Sequence, residues 1–234
     1  MSGTIERPAL PYKLLVWLSP GFPVGAFSYA HGLEQAVDDG RAHDAASVQR
    51  YVTSALRHGA GAIDGALLAG AWRASCEGDA ARVADLVELA AAWRGSAELA
   101  LESGAQGRAF LSTVRAAWPH ADLDRLAEVA RSLGVLPAYP VAVGVACAAH
   151  GVALLPALEA FLHGFAANLV SAGVRLVPLG QTDGQRILAA LETDVTAIAK
   201  EMLNAEPETS FASTPAIDLA SMAHETLYTR LFRS

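Results

Sequence analysis

The sequence predicts an all-α fold: a single-domain helical bundle of about ten helices, closed by a C-terminal tail helix. Three observations lead there. Alanine and leucine dominate, while β-branched residues are sparse and aromatics reach only 7%, a composition that favours helices over sheets. Apolar residues recur at three- and four-residue spacing between punctuating glycines, prolines and aspartates. Hydrophobic residues make up 53% of the 234 positions and charged residues only 18%, enough to build one sizeable core.

The chain opens on a stretch dense in both rigid and apolar residues, Leu14 to Val37. Pro20, Pro23 and Gly25 fix a turn, and Phe27 and Tyr29 supply rings to anchor it, so the stretch reads as a loop held in one shape against a core. Pro11 to Leu18 before the turn and Ser28 to Val37 after it are expected helices, the second ended by Asp38-Asp39-Gly40. Asp44 is the N-cap of a third, with Val48, Tyr51, Val52, Ala55 and Leu56 on one face and Gly59 as its stop. Ile63 to Cys76 forms a fourth. A fifth follows the cap Asp79, with Val83, Leu86, Val87 and Ala90 on one face. Ser96 opens a long helix to Trp118; its Gly104 and Gly107 each cost about 1 kcal/mol against alanine unless packing needs them.

Asp122 to Leu133 makes a seventh helix, closed by Gly134. Pro140 to His150 and Pro156 to Leu176 form the apolar centre, each with proline in the first turn, where it is tolerated. Asp183 reads as the cap of a helix reaching Leu203. Residues 204–216 are polar and proline-bearing, an exposed linker, and Asp218 to Phe232 is the last helix. The expected organisation is a helical domain over 1–203, then a linker and tail helix over 204–234.

Several function classes fall away. The net charge is -7, Lys13 and Lys200 are the only lysines, and no basic stripe is interleaved with aromatics, which argues against nucleic acid. Neither lysine stands in a G-x-x-x-x-G-K-[ST] frame, and no G-x-S-x-G elbow occurs. Gly59, Gly61 and Gly65 lack the spacing and preceding strand of a dinucleotide loop and read as a helix junction. Cys76 and Cys147 lie far apart, as in a reduced cytosolic protein without disulfides. No basic start with a long apolar core resembles a signal peptide.

Two alternatives stay in view. Asp38-Asp39 suits a helical enzyme with a magnesium-bound diphosphate substrate, but such enzymes need a second acidic cluster, and Asn168 to Arg175 lacks the acid. Val135 to Leu158 carries no formal charge and is long enough to cross a bilayer, but it is mostly alanine and glycine, with three prolines and His150 inside, so a buried helix pair is the better reading. His31 and Glu34 stand one helical turn apart and His224 neighbours Glu225. A closed metal site wants three or four convergent ligands, so surface or hydrogen-bonded core histidines are the preferred reading.

Four segments carry a resemblance: SPGFPVGAFSYAHGLEQAV from Ser19, the Val141–Gly151 region, SAGVRLVPLGQTDGQ from Ser171 to Gln185, and MAHETLYTRLFRS from Met222. In order, and over nearly the whole chain, they resemble the UreF family of urease accessory proteins. Ala26, Ala30 and Thr229 depart from the family pattern, which bears only on fine loop geometry. The resemblance implies a helical, cytoplasmic, non-enzymatic protein with no cofactor of its own. It would form homodimers, bridge UreD (also called UreH) and the GTPase UreG, and help the assembly load nickel into the urease apoprotein.

The residues expected to meet those partners are Tyr29, Glu34, Arg175, Gly180, Gln181, Gln185, His224, Glu225, Tyr228, Arg230, Leu231 and Phe232. A tail helix of about 15 residues is marginal in isolation, so Leu227, Tyr228, Leu231 and Phe232 must pack on this chain, on a partner, or on both; ordering when UreD binds is the expectation. Arg230 brings five donors among apolar neighbours, which backbone carbonyls at Pro178–Gln181, or solvent, would satisfy. Gly180, Gln181, Gly184 and Gln185 form a turn and helix start whose amides would pin the tail or bond a partner. Arg175 would join the same network, and Tyr29 suits a core or an interface.

Overall fold

The computed structural model describes residues 11–211 and 213–234. Among them the chain forms eleven α-helices and two short 3-10 turns. They are α1 (Tyr12–Trp17), α2 (Leu33–Asp38), α3 (Ala45–His58), α4 (Ala60–Glu77), α5 (Ala80–Ala92), α6 (Ala97–Ala117), α7 (Ala121–Leu133), α8 (Tyr139–Ala149), α9 (Leu154–Leu176), α10 (Gln181–Met202) and α11 (Pro215–His224). The all-α bundle expected from composition is therefore the observed class.

The centre is α8 packed on α4. Every residue from Pro140 to Cys147 is buried, as a helix apolar on all sides must be. Burial of each valine in that run contributes about 1.5–3 kcal/mol. The two backbones approach closely: a Cβ on Gly144 would lie 2.5 Å from the Leu68 carbonyl oxygen. Around this pair stand α6, α7 and α5 on one side and the α9–α10 hairpin, backed by α3, on the other. Trp17, Phe110, Leu67, Leu68, Leu158 and Leu162 are fully enclosed. The uncharged stretch Val135 to Leu158 is thus the eleven-residue α8 with its flanking loops and the start of α9. Among the described residues, only α9 is long and apolar enough to cross a bilayer by length and composition, and 44% of its most apolar window is buried inside the bundle.

Capping chemistry sets most helix ends where the sequence places them. The Asp44 carboxylate accepts from the Ser47 N–H at 2.8 Å, and the Ser47 hydroxyl accepts from the Asp44 N–H at 3.0 Å, a reciprocal cap. Asp79 and Ser96 cap α5 and α6 the same way, by accepting from Arg82 and Leu99 N–H. Gly107 is required by packing: a Cβ there would sit 1.9 Å from the Pro137 carbonyl oxygen, so the chain entering α8 lies directly on α6.

Three expectations are corrected. The helix expected over Ser28 to Val37 begins only at Leu33, after a 3-10 turn over Ala26–Ser28. His31 and Gly32 have φ of 51° and 71°, and that left-handed pair breaks any helix through them. Asp183 is not the cap of α10; the helix starts two residues earlier, and Asp183 reaches back to accept from the Gly180 N–H at 3.1 Å. The last helix is Pro215–His224, and residues 225–234 follow as irregular chain, because their N–H groups bond carboxylates and loop carbonyls instead of a preceding turn.

The first part of the expected linker, residues 204–208, is also held more firmly than an exposed linker. Arg73 donates to the Leu203 and Ala205 carbonyls at 2.9 and 2.7 Å. Pro207 is buried against Gly70, where a Cβ would meet its ring at 3.0 Å, and Arg82 donates to Glu208 at 2.8 Å.

Candidate functional site

Three glutamates with little exposure converge where the C-terminal tail lies down. Glu34 comes from α2; Glu98 and Glu102, one turn apart on α6, face the same way. Glu34 takes three donors: the Leu231 N–H at 2.6 Å, the Phe232 N–H at 2.9 Å and His224 Nε2 at 3.1 Å. The His224 ring is fully enclosed, and its Nδ1 lies 2.7 Å from Glu98. Each ring nitrogen of His224 thus faces a carboxylate oxygen, one from α2 and one from α6. Arg230 donates to the other Glu98 oxygen at 2.6 Å.

Glu102 completes the seat. It accepts from the Ser234 hydroxyl at 2.8 Å and Gln106 at 3.0 Å, and pairs with His31 at 3.0 Å. Burial by itself would lower the His31 pKa, but the charge of Glu102, its hydrogen bond and the more distant Asp64 outweigh that and raise it above the ordinary value. The left-handed backbone at His31 thus turns its ring toward α6, while Tyr51 donates to the His31 carbonyl at 2.6 Å.

The tail also threads along the N-terminal motif. Ala30 N–H donates to the Ser234 carbonyl at 3.0 Å, and Arg233 N–H to the Ser28 carbonyl at 2.8 Å. Arg175 ties the two together: it donates to the Phe27 carbonyl at 3.0 Å, and its guanidinium lies 4.3 Å above the Phe232 ring. Ser96 and Ser221 hydroxyls meet at 2.6 Å, and Glu225 accepts from the Ala97 N–H at 3.0 Å, an anion at a helix N-terminus. A Cβ on Gly32 would lie 2.7 Å from the Ser221 nitrogen, so α11 sits on the loop backbone itself.

Of the residues singled out in the sequence, Glu34, Arg175, His224, Glu225, Arg230, Leu231 and Phe232 come together here. Tyr29 lies buried beside them, its carbonyl accepting from Asn168 at 3.1 Å. Gly180, Gln181 and Gln185 do not join: they lie exposed at the start of α10. Arg230 finds Glu98, not the Pro178–Gln181 carbonyls, because the tail crosses α6 and α2 instead. Tyr228 projects wholly into solvent, and Leu231 is 64% exposed although its N–H is held. Sequence reading missed His31 as a partner of Glu102, and missed Glu98, Glu102 and Gln106 altogether. The signal available was three long polar residues at four-residue spacing on α6, which also describes an ordinary solvated face.

Asp38-Asp39 ends α2, and Asp39 holds Gln35 at 2.8 Å and Arg41 at 2.6 Å; those bonds keep its carboxyl below the usual range. Among the described residues, no three His, Cys, Asp or Glu side chains are arranged to hold a metal ion.

A family model described as UreF matches residues 42–192. The chain is a member of the UreF family. Relatives named urease accessory protein UreF align over almost the full length of both chains. That of Granulibacter bethesdensis is 52% identical, covering 95% of this chain and 93% of its own. That of Rhodopseudomonas palustris strain HaA2 is 52% identical over 98% and 95%. That of Bradyrhizobium sp. strain ORS 278 is 50% identical over 100% and 95%. The UreF-family chain is accordingly a urease accessory protein and not an enzyme.

Proposed function

We propose that this chain bridges UreD (UreH) and the GTPase UreG, and that the tail seated on Glu34, Glu98 and Glu102 is the surface it offers them. In this reading the assembly delivers nickel, as cargo, to the urease apoprotein in the cytoplasm, and the chain acts as a chaperone of that step, working as a homodimer.

One observation carries the reading. The tail is anchored by its backbone and by Phe232, yet it turns Tyr228 and Leu231 outward, and Leu219 and Met222 of the preceding α11 are exposed as well. Aromatic and aliphatic groups held in place by a polar seat suit recognition better than a core. Arg230, 42% exposed and already bound to Glu98, is preorganised next to them. The net charge of -7 would steer the chain toward basic partner surfaces.

The tail's hold on its own chain is mostly polar, so UreD binding would add the apolar burial it lacks and order it further. The exposed amides of Gln181 and Gln185 would add contacts of their own at the start of α10. Hydrogen exchange of residues 225–234, free and in complex with UreD, tests this: increased protection in the complex is expected, and equal protection in both states would contradict it.

A further inference from the structure

Most arginines of the described chain stand within ion-pair distance of an Asp or Glu side chain, but among the described residues Arg175 and Arg233 find no such partner. Burial alone acts on Arg175 and pulls its pKa below the usual arginine value, as expected where no acid stands near. Its guanidinium is nonetheless fixed in place. Nε donates to the Ser171 carbonyl at 3.2 Å, Nη2 donates to the Phe27 carbonyl at 3.0 Å, and the Phe232 ring lies 4.3 Å below. Those two bonds use two of its five N–H groups and leave Nη1 without a protein acceptor. An exposed arginine held this way has already lost much of the rotamer freedom that binding would cost.

Phe27 lies beside it. Its carbonyl is one of the two anchors of Arg175, and its side chain is 69% exposed in the 3-10 turn of the N-terminal motif. Arg233 is drawn to the same corner by its N–H, which donates to the Ser28 carbonyl at 2.8 Å, and it too is exposed. Phe27 and Ser171 also stand on the wall of a cleft of about 290 Å3, whose apolar lining includes Val24 and Phe165. On a chain of net charge -7 this corner is a local exception: cations without carboxylates, next to an exposed ring and an apolar opening. A broad anionic surface such as a membrane would also meet the negative charge around it, whereas a short peptide segment would not. A fixed guanidinium suits a carboxylate, and an exposed ring beside it suits an apolar side chain.

We propose that Phe27 and Arg175 form a docking surface for an acidic, apolar segment of a partner protein. An Asp or Glu of that segment accepts from Arg175, with Arg233 as a second positive charge. The aromatic or aliphatic side chain next to it packs on Phe27 at the mouth of the cleft. This surface does not use Tyr228 or Leu231, so it stands or falls apart from the tail surface proposed above.

The test is an NMR titration of the full, isotope-labelled chain with three capped tripeptides: acetyl-Glu-Phe-Glu-amide, acetyl-Gln-Phe-Gln-amide and acetyl-Glu-Gly-Glu-amide. The first is expected to bind saturably and to move the amide signals of Phe27, Ser28 and Ser171. The second lacks the charge and the third lacks the ring, and each should bind more weakly by about tenfold or more. Arg175→Gln and Phe27→Ala should each weaken binding of the first peptide by about tenfold or more. Phe27→Ala changes an exposed side chain and carries the test if Arg175→Gln loosens the tail. No saturable binding of the Glu-Phe-Glu peptide, equal affinity for the Gln-Phe-Gln peptide, or unchanged affinity in Phe27→Ala would overturn the proposal.

Discussion

The Glu34 carboxylate and the Nε2 of His224 stand 3.1 Å apart across 190 positions of chain, and their pairing ties α2 to the end of α11. The same carboxylate holds the N–H groups of Leu231 and Phe232, so one side chain of α2 fixes both α11 and the tail. Glu34→Gln keeps the shape but removes the charge and turns donors toward donors. Its expected cost is about 2–4 kcal/mol in denaturant unfolding, with lost exchange protection at Leu231 and Phe232. Wild-type protection at those two amides would contradict the anchoring role.

Arg230→Ala should behave differently. Glu98 still has His224, and the arginine is 42% exposed, so the stability loss should be about 1 kcal/mol or less. Thermal melts of the purified variant check this; a loss as large as that of Glu34→Gln would show that Arg230 is a buried structural anchor.

The His31–Glu102 pair predicts a pH dependence. Its pKa in the fold is raised above the ordinary 6.5, so the charged ring stabilises the protein fully below that value. The contribution disappears as pH rises through the folded-state pKa. Wild type should therefore lose stability relative to His31→Gln as pH rises from the ordinary 6.5 into the alkaline range. Parallel melting curves for the two proteins across that range would refute the coupling.

Gly32 combines φ of 71° with a 2.7 Å approach to the Ser221 nitrogen. An alanine there strains the loop and pushes α11 away. Gly32→Ala should cost about 2–3 kcal/mol and expose tail amides to exchange, whereas alanine at Gly78, with φ of 71° but open space around it, should cost about 1 kcal/mol. Equal losses at the two positions would mean that backbone strain alone, and not the contact with α11, decides the effect.

The helices were legible because their punctuation acts locally. Asp44, Asp79 and Ser96 cap the helices that follow them, and the apolar run of α8 could only be buried. The seat was not legible, since the bonds between the tail and the three glutamates join residues 126 to 198 apart, which no periodicity encodes. Tail residues such as Phe232 looked helical because Leu227, Leu231 and Phe232 keep helical spacing, but Glu34 outbids the helix for the last N–H groups. His31 and Glu34 looked like one helical pair; the left-handed backbone at His31 and Gly32 sends them to different partners.

The central claim, that the seated tail is the surface offered to the assembly, is tested most directly by co-purifying UreG with UreD-bound chain carrying Tyr228→Ala or Arg230→Ala. Tyr228 is fully exposed, so its loss should leave the fold and melting temperature unchanged. The account predicts that both variants recover about tenfold or more less UreG than wild type, with a matching fall in nickel-dependent urease activation. Undiminished UreG recovery by well-folded Tyr228→Ala and Arg230→Ala chains would contradict it.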